Sequence, residues 1–259
     1  MVNIYTLHRG TAPLLISLPH NGHDLPLDLR DRLTPTALRT PDTDWHVAQL
    51  YDFAHELGAS MLVPRYSRYV VDLNRPPDGA AMYPGQSETG LCPTITFARK
   101  PIYQAGQEPT AAEIQTRVQT FWQPYHVALQ DELARIKTAH GRAVLWEAHS
   151  IRSIVPMFFD GRLPDFNLGT ANGTSCSPQL QARLAQVLEA QQAYSWVFNG
   201  RFKGGYITRQ YANPNEGIDT VQLELAQLNY MDEDSFDYLA TRATPTQSLI
   251  RKLLEAALQ

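Results

Sequence analysis

Cysteine is nearly absent from this chain. Two in 259 residues, Cys92 and Cys176, can build neither a disulfide framework nor a four-cysteine zinc site. No run of about 18 apolar residues is present, so no membrane-spanning helix is expected. Residues Met1 to Gly10 lack a basic stretch followed by an apolar one, which leaves no signal-peptide pattern. The expectation is a soluble cytoplasmic protein. Charged residues are sparse at 19%, and 22 Lys and Arg against 26 Asp and Glu give a net charge of −4. That excludes a broad nucleic-acid-binding face while leaving room for a local cationic pocket. Repeats, low-complexity tracts and linkers are also missing, so residues 1–259 read as a single domain. What remains is a globular, loop-rich composition with 18 Pro against 15 Gly and 10% aromatics.

The apolar pattern divides the chain into short strands and longer helices. Leu14 to Leu18, Met61 to Val63, Tyr69 to Leu73, Arg142 to Glu147, Ser195 to Phe198 and Thr220 to Leu225 read as strands. Helical spacing marks Asp44 to Leu57, ending at Gly58, and a long stretch from about Ala111 to His140 that Pro124 kinks or divides. Pro178 to Gln192 and Ser235 to Leu258 are helical as well. Strands separated by helices predict an α/β layer fold with a largely parallel sheet. In such sheets ligands gather beyond the carboxyl ends of the strands.

The residues at those ends are polar in an unusual way. His20 follows the first strand, Asn74 and Arg75 follow the third, His149 follows the fourth, and Glu224 sits inside the last. Two imidazoles from separate strands with an acidic partner meet the needs of a hydrolytic metal site, which keeps one position for water and a carboxylate base nearby.

Each of these has a plainer reading. His46, His55, His126 and His140 fall in helices or at their ends and read as structural, and His8 has no site role. His23 makes an H-x-x-H spacing with His20, which in a loop says little for ligation. Asp42 and Asp44 stand where a helix begins, so capping accounts for at least one of them. Glu224 in an apolar strand must be paired, at a sheet edge, or functional. Arg75, close after Asp72, is either a salt-bridged turn or a site residue. Cys176 opens a helix, where a dipole can activate a thiol with His149 as base, but the same helix start holds Ser and Thr caps and nothing else points to a thiol. Gly200 to Gly205 could form a lid or an anion loop; the G-K-[ST] ending of a phosphate loop is missing.

Taken together, Pro19-His20-Asn21-Gly22, Asp42-Thr43-Asp44-Trp45, Ser67 to Pro76 and Glu147-Ala148-His149-Ser150-Ile151 resemble the N-formylglutamate amidohydrolase family. So do Phe159 to Thr170, Asn199 to Arg209, and Val221 to Gln227 with Tyr230-Met231. The likeness runs in order along nearly the whole chain, and its later blocks resemble the branch that acts in histidine breakdown. It implies a fold similar to the zinc carboxypeptidases, a mixed eight-stranded sheet between helices. It also implies one divalent metal, usually zinc, and hydrolysis of N-formyl-L-glutamate to formate and L-glutamate. By the same resemblance His20, Asp44 and His149 match the metal ligands, with Asp42 and His23 as rivals for the third place. Glu224 matches the carboxylate that activates water, Asn74 and Arg75 match a pair that holds a substrate carboxylate, and Arg68 matches an arginine that polarises the scissile carbonyl.

The substrate so implied is a small dianion, which suits guanidinium forks. Arg75, Arg201 and Arg209 are the candidates, and Lys203 adds general attraction. His and Asp ligands suit Zn2+, Co2+, Mn2+ and Fe2+ alike. A deacylase or desuccinylase of another N-acyl acidic amino acid, a non-catalytic binder of acidic metabolites, and a cysteine amidase are the competing readings. No nucleic-acid or membrane partner is expected, and the sequence leaves the oligomeric state open.

Overall fold

A computed structural model describes residues 3–82, 85 and 87–259 of the chain. The strands are β1 (Tyr5–His8), β2 (Leu14–Ser17), β3 (Ser60–Pro64), β4 (Ala143–Ile151), β5 (Phe166–Gly169), β6 (Trp196–Phe198) and β7 (Ile218–Ala226). The helices are α1 (Leu27–Arg30), α2 (Val47–Leu50), α3 (Ala111–Arg117), α4 (Gln123–His140), α5 (Pro178–Glu189), α6 (Tyr206–Gln210) and α7 (Ala240–Leu258). Among the described residues the strands form one seven-stranded sheet in the order β1-β3-β2-β4-β7-β5-β6, one strand fewer than the resemblance implies. Four neighbouring pairs are parallel, while β1–β3 and β5–β7 are antiparallel, so the sheet is mixed and largely parallel as expected.

Alternation along the central strands splits the core in two. Leu14, Ile16, Val144 and Trp146 face one side, where they pack with α2, α5 and α7. Leu15, Ala143 and Leu145 face the other, against Val118, Leu129 and Leu133 of the α3–α4 rod. A sheet covered on both faces explains why these strands read as unbroken apolar runs. The three-layer α/β/α arrangement expected from the sequence is present.

Several elements differ from the sequence pattern. The expected strand at Tyr69 to Leu73 is a chain of turns whose carbonyls are taken up by side chains rather than by a neighbouring strand. The expected helix from Asp44 shrinks to α2 and a 3-10 turn at Asp52–His55. Its start is lost because the Asp44 N–H is committed to the His20 carbonyl at 3.0 Å and His46 adopts a left-handed φ of 61°. The break expected at Pro124 takes the form of a π turn, Val118–Trp122, immediately before it. A proline cannot supply the N–H of a regular turn and crowds the carbonyl four residues earlier, and a widened turn relieves both. The terminal helix begins at Ala240 because Asp232 draws the Asp234 and Ser235 N–H groups into a separate turn. Strands β1 and β5 and helix α6 carry no strong signal, being four or five residues long. Strand β4 runs on to Ile151, so His149 lies within it.

Candidate metal and substrate site

Past the end of β2 the chain turns at Pro19, and His20 is left buried with both ring nitrogens engaged. Its Nε2–H donates to Asp72 Oδ1 at 2.7 Å, and Arg68 donates to its Nδ1 at 3.3 Å. The tautomer with Nδ1 as acceptor is thereby set. Against the cost of burial, Arg68 and His20 hold the Asp72 carboxyl well below its usual range. Arg68 is itself buried, bonded to Asp72 Oδ2 at 2.6 Å and seated over the Phe97 ring at 4.9 Å.

His149 repeats the arrangement on β4. Its Nε2–H donates to Glu147 Oε1 at 2.7 Å, while Nδ1 faces Asp44 Oδ2 at 3.0 Å. Burial opposes charging this ring, yet Glu147 and Asp44 hold its pKa well above the ordinary histidine value. Asp44 is fixed by the Ser150 N–H at 3.1 Å and stands 3.8 Å from His20 Nδ1. One ligand atom from each of His20, Asp44 and His149 lies within 4.8 Å of the others.

This donor set fits a divalent cation. Two imidazole Nδ1 atoms and one carboxylate oxygen converge, a cation there would take the place of Arg68 at His20 Nδ1, and each imidazole gives its other nitrogen to a buried carboxylate, the usual support for a metal-binding histidine. Neither rival for the third ligand joins them. Asp42 accepts from the Tyr69 hydroxyl at 2.6 Å and the Phe97 N–H at 3.0 Å, and burial pushes its carboxyl up. His23 is exposed and lies against Trp45, 5.3 Å between ring centres.

Parallel pairing of β4 with β7 sets His149 beside Glu224 and Glu147 beside Gln222. Register partners on adjacent strands project from the same face, so Glu224 is placed next to the imidazole by the sheet itself. Gln222 donates to Glu224 Oε2 at 3.2 Å and accepts from the Gly205 N–H at 2.7 Å. Burial pushes the Glu224 carboxyl up to about 8, with His149 pulling the other way.

A cavity open at its mouth runs over these groups. Arg68, Asn74, Arg75 and Arg201 line it together with His20 and Glu224. Asn74 accepts from the Ile207 N–H at 2.9 Å, which turns its amide nitrogen towards His149. Arg75 donates to the Thr89 carbonyl at 2.9 Å, and Arg201 to those of Phe158 and Ser87 at 2.7 and 3.0 Å. Both guanidinium groups are therefore preset. Arg209, on α6, lines a different cavity, with Ala171 and Asn172, and its Nε–H donates to the Gly204 carbonyl. Lys203 is likewise absent from the lining of the central cavity. Cys176 is buried in the core, and burial together with Asp219 pushes its thiol up to about 12, which removes it as a nucleophile at neutral pH.

The chain has relatives among known proteins. The model of the N-formylglutamate amidohydrolase family matches residues 12–231. The chain belongs to this family. The N-formylglutamate deformylase of Pseudomonas aeruginosa is 52% identical over 259 residues, all of this chain and 97% of that protein. A protein of the same name from Pseudomonas putida is 49% identical over the same span, with 97% of it covered. Among solved structures, an N-formylglutamate amidohydrolase from Ralstonia eutropha JMP134 superposes with a TM-score of 0.83 at 25% identity, over 99% of this chain and 96% of that one. A gene product of Agrobacterium tumefaciens shares the fold, with a TM-score of 0.70 at 19% identity over 99% of this chain and 96% of that one.

Within this family member, Asp72, Glu147 and Gln222 are the site residues that the sequence pattern does not single out. Asp72 and Glu147 nevertheless carry the mark that singles out Glu224, a carboxylate in an apolar run.

Proposed function

We propose that this chain is a metal-dependent amidohydrolase that cleaves N-formyl-L-glutamate to formate and L-glutamate. The observation that carries the reading is the convergence of His20, Asp44 and His149 beside Glu224, in a member of this family. Those three side chains would hold one divalent cation, for which zinc is our choice. Bound there, such an ion supplies Lewis-acid polarisation and a more acidic water. The resemblance of the later sequence blocks leads us to place the reaction in histidine breakdown.

The chain's own groups do the rest. Arg75 and Arg201, with Asn74, hold the two carboxylates of the substrate and so fix the formyl carbon over Glu224. Glu224 takes a proton from the attacking water and gives it to the departing amine. Burial raises its pKa, which favours handing the proton on, and a cation held by His20, Asp44 and His149 would favour the ionised form needed first. Arg68, buried against Asp72, is a donor for the negative charge that grows on the formyl oxygen, a contribution of about 3 kcal/mol for one well-placed donor.

The test is formate release from N-formyl-L-glutamate, measured with and without a chelator and after restoring single metals. Activity should fall on chelation and return with zinc, and N-acetyl-glutamate, N-succinyl-glutamate and N-formyl-aspartate should be poorer substrates. Activity indifferent to chelation, or a preference for the succinyl compound, would overturn the reading.

Gly205 offers a second check. A Cβ there would lie 2.3 Å from Asn74 Nδ2, and Asn74 is already held by the Ile207 N–H. Gly205→Ala is expected to displace the Asn74 amide and lower kcat/KM by about tenfold to a hundredfold, with the melting temperature changed little by comparison. Steady-state kinetics with a thermal melt on the same preparation decides it.

A further inference from the structure

Residues 67–75 carry Arg68, Asp72, Asn74 and Arg75, yet they form no strand. Four of the loop's carbonyls are bonded instead by side chains of a single helical rod. Arg117 donates to Tyr69 O at 3.4 Å and to Val70 O at 3.0 Å. His126 Nε2–H donates to Leu73 O at 2.9 Å, and Trp122 Nε1–H to Arg75 O at 3.0 Å. The His126 ring is set for this, since its Nδ1 accepts from the Tyr211 hydroxyl at 2.8 Å and it stacks on Trp122 with 3.6 Å between ring centres.

These three donors share a face only because of the π turn. In an unbroken α-helix a residue nine positions on stands about two and a half turns away, so Arg117 and His126 would point to opposite sides. The π turn at Val118–Trp122 takes up one extra residue, which cuts that angle to roughly 80° and brings Trp122 and His126 round to the side of Arg117. The turn that accommodates Pro124 thus also brings the four carbonyl bonds within reach of one rod.

We infer that Arg117, Trp122 and His126 are positioning residues, a clamp on the back of the loop that sets Asn74 and Arg75 for the substrate carboxylate. The inference rests on the function proposed above. The clamp touches no substrate. It acts by fixing the backbone on either side of Asn74, whose side chain is held from the front by the Ile207 N–H.

Three variants test this: Trp122→Phe, His126→Leu, and His126→Gln, whose amide nitrogen can reach where Nε2 stands. The first two should raise KM for N-formyl-L-glutamate by roughly three- to tenfold with kcat within about twofold, the signature of lost ground-state positioning. His126→Gln should restore most of the wild-type KM. Amide hydrogen exchange over residues 68–75 should quicken in Trp122→Phe and His126→Leu and remain slow in His126→Gln. Wild-type KM and wild-type exchange in Trp122→Phe and His126→Leu would overturn the clamp, as would an equal defect in all three variants, which would mean packing alone. A wild-type protein that releases no formate would count against the proposed reaction instead, and the exchange data would then judge the clamp by themselves.

Discussion

Glu224→Gln is expected to reduce formate release by roughly 10²–10⁴-fold while bound metal stays at the wild-type level. The substitution is almost isosteric and keeps a carbonyl oxygen for the Gln222 amide, now 3.2 Å from Glu224 Oε2. It removes a buried ionisable group whose burial already works against its charge, so the fold has little to lose. What it takes away is the proton acceptor beside His149. None of the three converging ligand atoms comes from Glu224, so metal content and activity should part company. Elemental analysis of the purified variant, run beside the formate assay, shows whether they do. Full activity in the variant would remove Glu224 from the mechanism. Loss of metal along with activity would make it a ligand rather than a base.

How much of this can be read from the sequence depends on whether the decisive contact is local. The apolar run that makes Leu14, Leu15 and Ile16 a buried strand is written in the chain, and so is the oddity of Glu224 in an apolar strand. His20, His149 and Glu224 follow from that pattern because β2, β4 and β7 are neighbours in one largely parallel sheet. The choice of Asp44 over Asp42 does not follow. Asp42 is occupied by the Tyr69 hydroxyl and the Phe97 N–H, which reach it from distant parts of the chain. Tyr69 to Leu73 has the composition of a strand, and only donors from a rod more than forty residues later make it a loop. Arg201 and Arg209 look equivalent in a glycine-rich stretch, until α6 carries the second towards another cavity. Periodicity predicts which face a residue takes. It cannot predict which remote side chain will claim a backbone carbonyl or a carboxylate.

His149→Ala should lose the metal outright, and with it at least about a thousandfold in activity, since one of the three side chains proposed to hold the cation is gone. The damage extends beyond the missing nitrogen. Glu147 is fully buried and would keep only the Thr208 hydroxyl, and Asp44 would lose its partner at 3.0 Å. Removing one member of such a buried pair typically costs about 3 to 5 kcal/mol, so a lower melting temperature should accompany the loss. A milder change separates the ligand from its support. Glu147→Gln leaves an oxygen to accept the His149 Nε2–H but withdraws the negative charge that makes the ring a better donor to a cation. Its metal affinity should therefore fall by about 10- to 100-fold without being abolished, with excess metal restoring activity. Competition against a chelating dye measures the affinities, and elemental analysis measures the content as purified. The ordering is what matters: wild type tightest, Glu147→Gln weaker but rescuable, His149→Ala empty at any practical concentration. A His149→Ala protein that purifies with a full complement of metal would mean that His20 and Asp44 bind it elsewhere or with other partners, and the site described here would have to be redrawn.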